Sequence, residues 1–81
     1  MDLHVIYTKA EMLLSKKSYT SWRDIQDEYE DYMASFGPWS IEQVLGLFEK
    51  DYPDLDPVGL VQVEILRNSP SETIRLTFKS R

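Results

Sequence analysis

The side chains able to do chemistry in this chain are few and mostly of one kind. There is a single histidine, His4, and no cysteine. An activated nucleophile needs a base within reach and a third group to orient it. No serine is placed by the sequence to be activated by His4, which reads as a solvated or half-buried histidine beside an apolar stripe. Gly37, Gly46 and Gly59 are isolated from one another, so no glycine-rich loop is available to cradle a phosphate. Carboxylates are abundant: Asp24 with Glu28, and Asp27 with Asp31, stand four residues apart. Adjacent pairs of this kind on an exposed helix repel and stay hydrated rather than hold a hard cation. Asp51, Asp54 and Asp56 in "DYPDLDP" lack the central glycine and terminal glutamate of a calcium loop, and Pro53 and Pro57 suit them to a turn. The expectation is a chain that is not an enzyme, with no catalytic residue, no metal site and no cofactor.

Binding is the remaining kind of chemistry, and charge bears on it. Net charge is −5 over 81 residues, unevenly spread: residues 1–66 hold thirteen acids against five bases, and residues 67–81 four bases against one acid. The body repels polyanions and the C-terminal stretch does not. Apolar residues at 42% and aromatics at 12% are enough for one packed domain over residues 1–81. The N-terminus has neither the basic nor the apolar region of a signal peptide, and no run is long enough to span a bilayer. A cytoplasmic location is expected, with no membrane partner.

Four stretches must position these residues. Leu3, Ile6, Tyr7, Ala10, Leu13 and Leu14 follow helical spacing and predict a helix over 3–16, leaving Val5 and Met12 on its opposite side. Ser21 followed by Asp24 resembles a capping box. Trp22, Ile25, Tyr29, Tyr32, Met33 and Phe36 then predict a second helix over 22–36, whose other face carries Asp24, Asp27, Glu28 and Asp31. "FGP" ends it. Ser40 with Gln43 starts a third helix over 41–51, with Ile41, Val44, Leu45, Phe48 and Tyr52 inward and Trp39 as a staple closing the core. In the last stretch, a turn at 68–71 pairs Ile65 with Ile74, Val63 with Leu76 and Glu64 with Arg75, predicting a hairpin of strands 60–67 and 72–79.

In that order the elements resemble the winged helix-turn-helix superfamily. The likeness is clearest at "SIEQVLGLFEKDYPDLDPVGLVQVEI", where Phe48, Glu49 and Lys50 close a helix and Gly59, Leu60 and Val61 open a strand. The resemblance implies an α+β fold of three helices with a C-terminal antiparallel hairpin as the wing; the alternative is a three-helix bundle with an appended hairpin. It also implies nucleic-acid binding, for which Arg67, Arg75, Lys79 and Arg81 are the candidate phosphate contacts. The third helix exposes Glu42, Gln43, Gly46, Glu49 and Lys50, a poor set for base edges.

The favoured expectation is therefore a protein-interaction module, monomeric or weakly homodimeric. It would meet a protein partner with a basic surface through Asp24, Asp27, Glu28 and Asp31, with Val5, Met12 and Leu47 as apolar anchors. DNA binding through a basic wing is the alternative. An acidic surface imitating DNA phosphates is a further possibility.

Overall fold

The computed structural model describes residues 2–79. It opens not with a helix but with a hairpin, β1 (Leu3–Thr8) and β2 (Met12–Ser15), paired antiparallel with Val5 opposite Leu14 and Ile6 opposite Leu13. The turn is fixed by Thr8, whose Oγ1 accepts from the Glu11 amide at 3.0 Å. The predicted helix over 3–16 is overturned for a physical reason. Leu3, His4, Val5 and Ile6 are all buried because both faces of β1 are covered. A strand covered on both faces reads as an unbroken apolar run, which periodicity cannot separate from a buried helix.

The second stretch divides. The helix α1 (Trp22–Glu28) has Ser21 as its N-cap and ends where Tyr29 turns extended. After a two-residue turn, β3 (Tyr32–Trp39) lies antiparallel against the far side of β1, with Val5 opposite Phe36 and Tyr7 opposite Ala34. The predicted helix over 22–36 thus continues as a strand, for which the aromatic and uncharged run "YMASFGPW" is suited. Gly37, expected to stop a helix, instead allows close approach of two strands. It sits at φ +135°, and a Cβ there would lie 2.5 Å from the Leu3 carbonyl oxygen and 2.8 Å from His4 Cδ2, so a side chain is excluded on both counts.

α2 (Ile41–Asp51) occupies the residues expected of the third helix, with the reciprocal Ser40 and Gln43 capping box in place. α3 (Gly59–Asn68) then stands where a strand was predicted. Gln62, Val63 and Leu66 are its buried positions, whereas Val61 and Ile65, assigned inward in the hairpin register, are exposed. β4 (Thr73–Arg75) pairs with β2, Ile74 opposite Leu14 and Arg75 opposite Leu13. The predicted hairpin of 60–67 with 72–79 is therefore absent. Its pattern of alternating apolar residues serves equally as a helix burying positions i and i+3, and the β2 edge competes successfully for residues 73–75.

The result is an α+β fold, but with a four-stranded antiparallel sheet in the order β3-β1-β2-β4 in place of either the winged-helix arrangement or a three-helix bundle. The main core lies on one face, where Leu3, Val5 and Leu14 meet Val44 and Phe48 of α2 and Val63 and Leu66 of α3. A smaller cluster of Ile6, Leu13 and Ile25 seats α1 on the other face. Among the described residues, no helix is long and apolar enough to cross a membrane.

Candidate functional site

The corrected fold redistributes every residue singled out from sequence. Val5 and Met12 are in the main core, so neither is an exposed anchor or a dimer contact. Leu47 is half-buried against the same core. The basic residues no longer share a wing. Arg67 is on α3, 3.3 Å from Glu64 of the same helix; Arg75 is on β4, paired with Leu13 rather than Glu64; Lys79 follows β4; and Arg81 lies outside the described residues.

The acidic stripe is cut as well. α1 ends at Glu28, so Asp31 belongs to the turn before β3 while Asp24, Asp27 and Glu28 share the helix. Two of these carboxylates have partners within the chain. Asp24 Oδ2 accepts from the Thr20 amide at 3.0 Å and from the Thr20 hydroxyl, and these bonds hold its carboxyl below the usual carboxylate range. Glu28 accepts from Lys17 Nζ at 2.8 Å and from the Tyr19 hydroxyl at 2.5 Å. Lys17, then Tyr19, depress its pKa. In return, the bond to Glu28 raises the pKa of Lys17. Asp27 is exposed and makes no bond to a described side chain. A solvated pair such as Lys17 with Glu28 adds little stability, but it orients the tyrosine and the helix end beside it.

That orientation borders a groove of about 610 Å³ between α1 and β3. Trp22 and Ile25 form its helical side, Tyr32, Met33, Ser35 and Pro38 its strand side, and His4 and Tyr19 its floor. α1 seats itself by Ile25 alone among its buried residues, a consequence of its seven-residue length. Trp22 therefore stays 54% exposed, and Met33 across the groove 63% exposed. Arg23 lies over the Trp22 ring, 5.5 Å from its centroid, an arrangement in which the ring face attracts a cation.

His4 is the unusual member. It is buried, stands edge-on to the Tyr19 ring at 5.2 Å, and its Nδ1 has no hydrogen-bond partner. Burial lowers its pKa, against a smaller upward pull from Asp2, so the imidazole is neutral at pH 7. Burial and the bond to Glu28 both raise the pKa of the Tyr19 hydroxyl. The groove thus offers neutral aromatic and thioether surface and one unpaired imidazole nitrogen, and no carboxylate lines it. No protein-family model, curated protein or solved structure matches the chain.

A second concavity of about 370 Å³ lies between α2 and the start of α3, around Phe48, Leu55 and Leu60. No unpartnered buried polar group lines it. Among the described residues, no group of three His, Asp or Glu side chains is placed to hold a metal ion.

The sequence reading missed the groove because its two walls were assigned to one helix. Trp22 and Met33 were treated as neighbours on a packed stripe, whereas the turn at residues 30 and 31 sets them on facing elements. The signal that could have separated them is composition: residues 22–31 hold five acids and one arginine, and residues 32–39 hold no charge.

Proposed function

We propose that this protein is a non-enzymatic interaction module that binds a basic segment of another protein in the groove between α1 and β3. The observation that carries the reading is the pairing of two exposed large apolar residues, Trp22 and Met33, across a concavity that also holds an unpartnered buried histidine nitrogen. Buried polar groups are almost always paired, and exposed aromatic and methionine side chains beside a concavity are typical of binding anchors. Asp24 and Asp27 line a separate concavity beside Lys17, and Asp31 one beside Arg75, so these carboxylates act on a cationic partner only at long range, speeding its approach. The sequence reading of an acidic recognition face is retained in altered form: the carboxylates steer, and the groove beside them supplies contact area. The proposal places the module in the cytoplasm, since a chain without cysteine needs no oxidising compartment to fold.

The test is affinity capture from the source cell with three forms of the full chain: unaltered, Trp22→Ala with Met33→Lys, and Val61→Lys with Ile65→Lys on the outer side of α3. Loss of a bound protein in the second form alone is expected. Loss in the third alone overturns the proposal. A retarded band with mixed-sequence duplex DNA at low salt, abolished by charge reversal at Arg67 and Arg75, would replace it with the nucleic-acid reading.

A further inference from the structure

α3 is apolar on two sides. Gln62, Val63 and Leu66 face the core, while Val58, Leu60, Val61 and Ile65 are exposed. Val58, Val61 and Ile65 stand three and four residues apart, so they form one outward stripe along the helix. A surface helix ordinarily turns polar side chains to water on that side, as α2 does with Glu42, Gln43, Glu49 and Lys50. Val58 and Leu60 also line the concavity around Phe48, so apolar surface runs from it onto the helix. A continuous exposed patch of this kind marks an interaction surface.

The charges at the two ends of the stripe select its occupant. Asp56 is exposed and lies two residues before the N-cap Val58, and Arg67, the one cation of α3, is exposed in its last turn. A partner of uniform charge, basic or acidic, satisfies one end and repels the other. A second copy satisfies both, because a two-fold axis sets each end against the opposite end of the other molecule. With the axis beside Val61, a single antiparallel register places Val58 against Ile65 of the second copy, Val61 near its own counterpart and Asp56 beside Arg67. The same register directs Glu64 toward the start of the second copy's α3, where Val58 caps without a side-chain bond and negative charge is favoured. Apolar residues meet apolar ones, and none of these charges meets its like.

We infer that two copies of this chain associate through the outer faces of α3, packed antiparallel about a two-fold axis, with Asp56 and Arg67 paired across the interface at both ends. This goes beyond the groove reading and does not depend on it. α3 covers the main core and α1 the opposite face of the sheet, so both grooves stay open in the dimer. One helix from each copy makes a small interface, and association is expected at roughly 10–100 µM.

The test is sedimentation equilibrium of the full chain up to about 1 mM protein, well above that range. A reversible dimer is expected, and Val61→Lys stays monomeric while its thermal melt at low concentration matches that of the unaltered chain. Asp56→Arg and Arg67→Asp each weaken the dimer by about tenfold, since each turns both end pairs from attraction to repulsion. An equimolar mixture of those two variants regains the lost association, because every end pair is again of opposite charge. A mixture that associates no better than either variant alone overturns the register. A monomer at every concentration, or a dimer that Val61→Lys leaves intact, overturns the inference outright. A dimer abolished by Ala34→Lys and unaffected by the α3 variants assigns the contact to the β3 edge, and the inference fails.

Discussion

The two edges of the sheet are built differently. At one, β4 is three residues long and carries Arg75, and the chain on either side of it is tied inward. Ser15 Oγ donates to the Glu72 carbonyl at 3.3 Å and accepts from Thr73 Oγ1 at 2.8 Å. Just beyond β4, Gln62 acts as a substitute strand: its Nε2 donates to the Thr77 carbonyl at 2.9 Å and its Oε1 accepts from the Thr77 amide at 3.0 Å. At the other edge, β3 is long and uncharged, with its outer backbone groups unpaired. A sheet with one protected and one unprotected edge has a direction in which it can grow, and a charged helix stands beside the unprotected one. Edge protection here is local, and its absence at β3 is informative because the same chain provides it at β4.

Five substitutions, one of them followed by titration, sharpen that contrast. The largest effect is expected from Leu14→Ala, which opens a cavity in β2 between the two edges where Leu14 is fully buried. It costs about 2–5 kcal/mol in urea unfolding. Gly37→Ala follows, at roughly 2–4 kcal/mol. It places a methyl group against the Leu3 carbonyl at a positive φ and loosens β3 from β1, strain of the kind that makes glycine replacement costly. If Gly37→Ala unfolds like the unaltered chain, the attachment of β3 is not the close approach described. At the protected edge, Gln62→Leu leaves the Thr77 amide without a partner and the Thr77 carbonyl with the Asp56 amide alone, and costs about 1–3 kcal/mol. Hydrogen exchange at Thr77 accelerates while exchange at β3 is unchanged.

The titration concerns His4, whose folded-state pKa lies below its ordinary value of 6.5. The unfolded chain binds the proton more tightly, so stability contributed by neutral His4 is intact above pH 6.5 and is lost as pH falls from there through the folded pKa. Asp24 and Glu28, also depressed, lose their contributions at lower pH, below their ordinary values of 3.8 and 4.5. A His4→Phe variant therefore flattens the stability curve between pH 7 and 5 in thermal melts. A curve of unchanged slope would show that His4 is not the group responsible. The smallest effect is Arg67→Ala. Its exposed pair with Glu64 lies within one helix, and the change in stability stays within about 0.5 kcal/mol.

How much of this was legible in the sequence depends on whether a local signal had a competitor. α2 was legible because a capping box, an apolar stripe and a following proline all point one way. Trp39 was read as closing the core, and it does pack there, stacked on Phe36 at 5.1 Å. β1 was not legible: Leu3, Val5 and Ile6 are buried from two sides by α1 and by α2 with α3, and a continuous apolar run fits a helix as well as a strand. α3 failed for the opposite reason. Gly59, Val61, Val63 and Ile65 alternate as a strand does, yet Gly59 is needed for contact with Phe48, against which a Cβ would lie at 2.8 Å. That is a tertiary requirement with no local trace. The acidic residues were visible as a set, but the groove beside them was not, because it forms between elements that the spacing had merged.

The pairing of β2 with β4 also sets an order on synthesis. β2 comprises residues 12–15, and the strand that covers its outer side comprises residues 73–75. Residues up to 75 must leave the ribosome before the first hairpin loses its second exposed side, and Lys16 waits nearly as long for its two acceptors, the Leu66 and Ser69 carbonyls at 2.8 Å. Contacts joining distant parts of a chain form late and leave strand edges uncovered meanwhile. A nascent chain stalled before residue 73 would leave the outer edge of β2 uncovered as well as that of β3, on opposite sides of β1, two open edges where the complete sheet has one.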